Sequence, residues 1–256
     1  MPSQGIFAVL TVYLDDSGTH GGAEVTAVAG FVSTKLLWDG FRKEWARALR
    51  KERIQIFRMS DLENRHGEFK GWSKERTETF RRELFDIIQR RTLAPIGSAL
   101  INADWERVMP AHIRAGFGGS YGWCAEDCAH QAYKWAKRTG APGKLRYIFE
   151  KGTVGHGQIA KVFADYASNP RWDAFRISGY SFEEKKLMPL QAADLMAYEV
   201  YKQMCNQVIT WKRPMRRSLA LLLAGKDAIH LQFHNAERLT KLVNAVSELD
   251  KQRKLG

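Results

Sequence analysis

The chain of 256 residues carries a formal net charge of +12, and 45% of its residues are hydrophobic. This hydrophobic fraction excludes an intrinsically disordered chain, and the excess of positive charge favours a polyanionic partner, with nucleic acid ahead of a membrane surface. No apolar stretch approaches the ~20 residues of a membrane span. Three cysteines are too few for a disulfide framework, and Met1–Gln4 lacks the basic segment of a secretory signal. We therefore expect a cytoplasmic protein that is not bound to a membrane.

The first half of the chain alternates between segments typical of strands and segments typical of helices. Short apolar runs rich in β-branched and aromatic residues predict strands, and apolar residues at helical spacing behind a Ser or Thr cap predict helices. In chain order these are strands at Ile6–Leu14 and Val25–Ser33, a helix from Thr34 to about Glu52, a short strand at Ile54–Met59, a polar loop at Ser60–Gly67, a helix from Ser73 to about Arg91 and a strand at Pro95–Asn102.

The second half of the chain continues the same alternation. It contains a glycine-rich irregular segment at Val108–Gly119, a helix at Ser120–Thr139, a strand at Leu145–Phe149, a helix at Gly155–Ser168, a strand at Ala174–Ser178, a helix from about Pro189 to Asn206, a strand near Ile229–Phe233 and a helix from Ala236. Strands interleaved with helices, after an initial hairpin, predict a mixed sheet flanked by helices. Since nothing resembles a linker, we expect a single α/β domain over residues 1–256.

Two adjacent carboxylates, Asp15 and Asp16, follow the first predicted strand. Ser17 and Gly18 then supply a turn, and Gly18 can adopt a backbone conformation closed to other residues. An acid at the end of a buried strand is held rigidly and partly desolvated, which costs free energy unless a cation or a donor compensates its charge. The alternative is a turn in which Asp15 caps its own backbone.

Asp194 lies on the apolar stripe of the helix predicted from about Pro189 to Asn206. The same stripe carries Leu190, Gln191 and Ala197 at offsets of three and four residues, so the carboxylate should face the sheet. Burying an unpaired carboxylate costs several kcal/mol, and proteins avoid it by pairing, protonation or metal binding. A buried salt bridge with Lys185 or Lys186 is the structural alternative to a metal site.

Glu150 ends the strand at Leu145–Phe149, so three acids, Asp15, Glu150 and Asp194, share one setting. Hard divalent cations such as Mg²⁺ and Mn²⁺ bind carboxylate oxygens, and two such ions ~3.5–4 Å apart can activate water for phosphodiester cleavage. Acids from separate elements, a basic surface and a mixed sheet together indicate a metal-dependent nuclease. In this interpretation the three acids are both catalytic and metal-binding.

Two motifs are similar to those of a bacterial and phage family, the domain of unknown function 3800 family. Tyr13–Gly18 resembles the family's Tyr-(Ile/Leu)-Asp-Glu-Ser-Gly, with Asp16 in place of Glu, and Gln191–Leu195 resembles Gln-Leu-Ala-Asp-Leu, with Ala192 in place of Leu. Phe57–Asp61 resembles Phe-His-Met-Ser-Asp, with Arg58 in place of His. The resemblance covers about residues 12–201 and leaves an extension at about 207–256.

This resemblance implies a ribonuclease H-like fold and a nuclease-type site, and it names no substrate. In that fold the strand-end acid is more often Asp, so Glu150 departs from the pattern. Asp16 and Asp61 are candidates for further metal ligands. Lys186 and His20 are candidates for positioning phosphate or moving protons.

The densest basic stretch surrounds Pro214 and is a candidate contact for a phosphate backbone, although a solvated loop is an alternative. We expect nucleic-acid contacts from Lys186 and from the members of this stretch, Lys212, Arg213, Arg216 and Arg217. Two other functions stay open. One is a non-catalytic nucleic-acid-binding or interaction module, which has no need of three inward acids, and the other is a metal-dependent phosphohydrolase acting on nucleotides.

Overall fold

The computed structural model describes residues 9–18, 21–152, 156–168, 175–209, 213–226 and 230–255. Six strands form one mixed sheet in the order β5-β4-β1-β2-β3-β6. The strands β1, β2 and β3 form an antiparallel meander, whereas β4 pairs parallel with β1, β5 parallel with β4, and β6 parallel with β3. Their bounds are β1 Leu10–Ser17, β2 Val25–Thr34, β3 Ala94–Ile101, β4 Leu145–Glu150, β5 Ile177–Glu183 and β6 Leu231–His234.

Helices cover both faces of this sheet. Their bounds are α1 Lys35–Glu52, α2 Met59–Asn64, α3 Lys74–Arg91, α4 Asn102–Val108, α5 Ala111–Phe117, α6 Ser120–Thr139, α7 His156–Ser168, α8 Met188–Ile209, α9 Arg217–Leu222 and α10 Ala236–Leu255. One hydrophobic core lies between the sheet and α1, α2, α3, α8 and α9, and we name this side the α8 face. A second core lies under α4, α5, α6, α7 and α10, on the α6 face. The predicted single α/β domain with a mixed sheet flanked by helices is confirmed for the described residues.

Strand β1 directs the side chains of Asp15 and Asp16, which follow its apolar run, to opposite faces of the sheet. Leu10, Val12 and Leu14 pack into the core of the α6 face, and Tyr13 packs into the core of the α8 face. The strand continues to Ser17, three residues beyond the predicted end at Leu14. Successive side chains of a strand point to opposite faces, so Asp15 belongs to the α8 face and Asp16 to the α6 face.

Helix α8 approaches β1 and β2 closely because small residues line the contact. A Cβ on Gly30 would lie 1.9 Å from the carbonyl oxygen of Tyr13 and 3.1 Å from Cβ of Ala193, so glycine is required there. Gly18 has the positive φ of 77° that its predicted turn requires, and a Cβ there would meet Val25 and the Tyr201 ring. The helix is thereby held against the two central strands, and Asp194 is held near the end of β1.

The predicted strand at Ile54–Met59 is wrong, because the structure has no strand there and helix α2 begins at Met59. Side chains replace a strand partner: the backbone N–H groups of Gln55 and Ile56 donate to the Glu68 carboxylate at 2.9 and 3.3 Å. An extended segment whose donors are satisfied in this way needs no sheet neighbour. The predicted polar loop at Ser60–Gly67 is correspondingly shortened by α2.

The segment predicted as irregular at Val108–Gly119 contains α5, which ends at Phe117 and is followed by Gly118 and Gly119, both with positive φ. The strand predicted at Ala174–Ser178 begins later, at Ile177, and Ala174 lies outside the described residues. Ile6–Ala8, Gly155 and Ile229 also lie outside them. None of the helices in the described ranges is long and apolar enough to cross a membrane.

Candidate functional site

The ammonium group of Lys185 lies among three carboxylates at one end of the sheet. Its Nζ is 2.5 Å from Oδ2 of Asp15, 2.6 Å from Oε2 of Glu150 and 2.7 Å from Oδ1 of Asp194. Because all three oxygens lie within 2.7 Å of the same nitrogen, no two of them are more than about 5.3 Å apart. We name these four residues the carboxylate–lysine cluster.

Three different elements bring the acids of the cluster together. Strands β1 and β4 are parallel neighbours, with Leu14 opposite Phe149, so the residues that follow, Asp15 and Glu150, lie at the same edge of the sheet. Asp194 reaches this edge from the second turn of α8. The predicted neighbourhood of the two strand-end acids and the helix acid is therefore observed.

Backbone donors orient two of the three acids. Oδ1 of Asp15 accepts a hydrogen bond from the N–H of Asp16 at 2.9 Å, within strand β1 rather than in a turn. Oδ2 of Asp194 accepts one from the N–H of Met59 at 2.6 Å. In both residues the second oxygen contacts Lys185. Each carboxylate is thus held by a backbone group on one side and presents its other oxygen to the centre of the cluster.

The cluster carries more negative than positive charge. Asp15 and Lys185 are buried, with side-chain exposures of 2% and 6%. Burial raises the pKa of Asp15 well above its ordinary value, and Lys185 opposes this rise while Asp194 and Glu150 add to it. Burial lowers the pKa of Lys185, but the three surrounding carboxylates outweigh that effect and raise its pKa. The lysine therefore stays charged and lies among three acidic side chains.

Gln191, one turn before Asp194, links the backbone of Lys185 to neighbouring elements through hydrogen bonds. Its Oε1 accepts hydrogen bonds from Nε1 of Trp45 at 2.8 Å and from the N–H of Phe57 at 3.3 Å, and its Nε2 donates to the carbonyl oxygen of Lys185 at 3.1 Å. One buried amide thus connects α1, the segment before α2 and the turn that carries Lys185. The helical stripe signalled that Gln191 is buried, but nothing local to it signalled these three partners.

Two predicted metal ligands lie outside the cluster. Asp16 faces the other side of the sheet, where its Oδ1 accepts a hydrogen bond from Tyr121 of α6 at 3.1 Å, so its assignment as a ligand beside Asp15 is corrected. The error follows from strand geometry, since neighbouring side chains cannot share a face. Asp61 lies in α2, and its carboxylate is not among the oxygens that contact Lys185. His20 lies outside the described residues.

The residues predicted to contact nucleic acid differ in their exposure and in their ion pairs. Arg216 is committed internally, because its Nε lies 3.0 Å from Oε2 of the fully buried Glu199 and its N–H donates to Gln203. Lys186 is exposed and contacts Glu184 at 2.6 Å. Arg213 and Arg217 are exposed, and Lys212 lies outside the described residues. The ion pair with Glu199 argues that Arg216 has a structural role.

The donor set of the cluster fits a hard cation in its chemistry, since it offers carboxylate oxygens from three elements and an excess of negative charge. Its arrangement differs from a metal centre. Within the described part of the chain, no group of three or more His, Cys, Asp or Glu side chains is arranged to hold a metal ion. The lysine ammonium takes the position between the three acids, and it neutralises part of their charge.

Comparisons with protein-family models, with curated proteins and with solved structures found no match. The resemblance to the domain of unknown function 3800 family therefore stays a prediction. The fold and the site by themselves define an α/β protein with a six-stranded mixed sheet and a buried carboxylate–lysine cluster at the end of its β1 and β4 strands.

Proposed function

We propose that this protein hydrolyses phosphodiester bonds in nucleic acid with a divalent cation, Mg²⁺ or Mn²⁺, held by Asp15, Glu150 and Asp194. The observation that carries the proposal is the convergence of these three carboxylates on one buried nitrogen. A buried lysine needs one carboxylate to balance its charge, and each further buried acid costs free energy. A site that binds a divalent cation accounts for the two additional acids.

The topology of the sheet supports the ribonuclease H-like fold that the sequence resemblance implies. The sheet is mixed and flanked by helices, as that resemblance implies, with an antiparallel β1–β2–β3 meander, β4 and β5 parallel beside β1, and β6 parallel beside β3. The two motifs that carry the resemblance, Tyr13–Gly18 and Gln191–Leu195, supply Asp15 and Asp194 to the same cluster. Both motifs therefore contribute to one chemical site.

The residues of the chain would orient the site as follows. Backbone N–H groups of Asp16 and Met59 hold one oxygen of Asp15 and of Asp194, which leaves the other oxygen of each directed to the centre. Gln191 holds the backbone of Lys185, whose ammonium group occupies the position between the acids and would be displaced by a cation bound there. A bound cation would supply activation of water and stabilisation of the leaving oxygen.

The contacts of Lys185 favour a second candidate, a non-catalytic module in which the cluster is a structural ion pair network. A lysine that contacts all three acids at 2.5–2.7 Å already satisfies much of their hydrogen-bonding capacity. In this case the acids stabilise the packing of α8 on β1 and β4, and the protein has no metal requirement. The two candidates differ in their response to divalent cations.

The experiment is a cleavage assay on labelled single-stranded and double-stranded DNA and RNA, with Mg²⁺, with Mn²⁺ and with EDTA. We expect cleavage only with a divalent cation. Asp194→Asn should lower the rate by orders of magnitude, because it keeps the shape of the side chain and removes a charge that the cation requires. Asp86→Asn, at an exposed position of α3, is the matched control and should cleave like the wild type.

Two outcomes would contradict the proposal. One is the absence of cleavage of every substrate with either cation, for a wild-type protein whose thermal unfolding is unchanged by the cations. The other is cleavage that survives Asp194→Asn at the wild-type rate. Either result, with an intact fold, would favour the structural network.

A further inference from the structure

We propose that a basic groove beside helix α1 binds the phosphate backbone of the nucleic acid, an inference that rests on the proposed function for its choice of polyanion. The groove has a volume of about 520 Å³ and lies between α1 and the start of α8. The small residue Ala46 also lines the groove. Five of the lining side chains are basic: Arg42, Lys43, Arg47, Arg50 and Lys186. We name this the α1 groove.

Most of the charge of the α1 groove is not cancelled by the acids of α1, because two of those three acids are paired with residues outside the groove. Glu44 binds Arg90 and Arg91 of α3, and Glu52 binds Arg76. No acidic side chain is among the described residues that line the groove. Two of its five cations are paired with acids beside it, Arg42 with Asp39 and Lys186 with Glu184, which leaves Lys43, Arg47 and Arg50.

Three cations of the groove form a regular row on α1. Lys43, Arg47 and Arg50 are exposed, and their spacing of four and three residues places them on one face of the helix. The helical rise separates them by about 6 Å and about 4.5 Å along the axis. No ion pair within the described residues involves any of the three. A row of unpaired cations at such intervals suits the repeating charges of a polynucleotide.

The α1 groove adjoins the carboxylate–lysine cluster at two points. Lys186, in its wall, is the next residue after Lys185, and consecutive Cα atoms are about 3.8 Å apart. At the other point, Met188 lines the groove and is the first residue of α8, the helix that carries Asp194. A backbone held along α1 would therefore pass beside the proposed hydrolytic site.

The basic surface near α9 fits a phosphate backbone less well. There Arg217 lines a depression together with Glu78, and Glu78 contacts Arg81 and Arg82 at 3.2 and 3.4 Å. Charges of both signs are interspersed in that depression, and Arg216 is paired with Glu199. The α1 groove has the larger uncompensated charge.

The test measures binding of a labelled single-stranded oligonucleotide by fluorescence anisotropy in EDTA, over a series of salt concentrations. The variant combines Lys43→Gln, Arg47→Gln and Arg50→Gln. We expect its affinity to fall by at least about tenfold and the slope of log K against log salt to become shallower by about two, since each lost contact contributes about 0.7 on single strands. Over the whole series of salt concentrations, the slope of log K against log salt should be steeper for the wild type than for the variant.

The matched control removes the same charge from the α6 face by combining Lys134→Gln, Lys137→Gln and Lys161→Gln, all at exposed positions of α6 and α7. It should bind with the wild-type slope, and both variants should melt like the wild type because only exposed side chains change. A groove variant with wild-type affinity, or a control that loses as much affinity, would overturn the proposal. So would groove-dependent binding to anionic phosphatidylserine vesicles without binding to the oligonucleotide.

Because binding is measured without a divalent cation, its result is independent of cleavage. If the groove variant loses affinity and its control does not, while the wild type cleaves no substrate with either cation, the hydrolytic proposal fails while the groove stands. If cleavage is metal-dependent and the groove variant binds and cleaves like the wild type, the groove fails while the hydrolytic proposal stands.

Discussion

Lys185 and Asp194 lie nine residues apart in the chain, and Nζ of Lys185 is 2.7 Å from Oδ1 of Asp194. One short segment, the turn before α8 and the first turns of that helix, thus supplies both the cation and one acid of the cluster. The other two acids come from the central strands, 170 residues away in the case of Asp15. The cluster therefore joins the first strand of the chain to its longest helix.

Replacement of Lys185 by methionine separates the two roles proposed for the cluster. Without the ammonium, three carboxylates lie together unbalanced, and Lys185→Met should destabilise the metal-free protein by about 3–5 kcal/mol. If the acids bind a divalent cation, Mg²⁺ or Mn²⁺ should raise the melting temperature of this variant more than that of the wild type. Lys186→Met, at the exposed neighbour, is the control. Thermal melts in EDTA and in each cation measure both effects, and a variant that no cation restabilises would support a structural network.

Gln191 is expected to be a positioning residue for Lys185. Gln191→Leu leaves the buried indole N–H of Trp45 and the N–H of Phe57 without their acceptor, each at a cost of about 1–3 kcal/mol. Urea unfolding should show this loss, whereas Gln55→Leu at an exposed position should not. At a saturating cation concentration, the cleavage rate of Gln191→Leu should be lower than the wild-type rate by more than the decrease in its folded fraction accounts for. A variant as stable as the wild type would contradict the assigned contacts.

Arg216 is expected to matter for stability rather than for nucleic-acid binding. Oε2 of Glu199 contacts Nε of Arg216 at 3.0 Å and the hydroxyl of Ser218 at 2.7 Å, and Glu199 is fully buried. Arg216→Gln removes the only basic partner recorded for this carboxylate among the described residues, which should cost about 3–5 kcal/mol in urea unfolding. Arg213→Gln and Arg217→Gln, at exposed positions, should each cost less than about 0.5 kcal/mol. Weakened oligonucleotide binding by a fully stable Arg216→Gln would contradict this.

Asp127 and His234 predict a dependence of stability on pH. Nε2 of His234 lies 2.8 Å from Oδ2 of Asp127, and Nε2 of Gln131 donates to Oδ1 at 2.9 Å. Burial raises the pKa of Asp127, but the hydrogen bond and coulombic effect of His234 and the hydrogen bond of Gln131 outweigh burial and hold the pKa below its ordinary value. Its contribution is therefore present above the unfolded pKa of about 3.9 and is lost as the pH falls through the lower folded pKa.

Asp127→Asn tests this dependence. The variant should be less stable than the wild type by about 1–3 kcal/mol near neutral pH, and the difference should narrow as the pH is lowered below about 4. Thermal melts over a pH series measure it, with Asp86→Asn as a control that should show no such narrowing. A difference that widens toward acid pH would reverse the sign and contradict the assigned pKa direction.

The acids of the site could be predicted because their signals are local. Asp15 follows an apolar β-branched run, and Asp194 lies on the apolar stripe of a helix, so in each case the backbone period assigns a face to the side chain. Glu150 was predictable in the same way from the strand before it. The same period should have separated Asp16 from Asp15, and that error came from treating both residues as part of a turn.

The segment at Ile54–Met59 shows why other features could not be predicted. Its composition is typical of a strand, yet its donors bind Glu68, Gln191 and Asp194, which lie between 12 and 135 residues away. Hydrogen bonds of this kind depend on where distant elements pack, and a local pattern carries no information about them. The separation of basic residues into paired and unpaired groups on α1 has the same origin.

The sequence by itself determined the main strands and helices of the two cores, β1 to β4 with α1, α3, α6 and α8, and the inward position of Asp15, Glu150 and Asp194. It also determined the excess of positive charge. Only the tertiary structure decided that Lys185 rather than Lys186 enters the cluster, that Arg216 is internal, and that the unpaired cations of α1 adjoin the site. The physical reason is that burial follows from local periodicity, whereas the partner of a charged group is chosen by the packing of elements far apart in the chain.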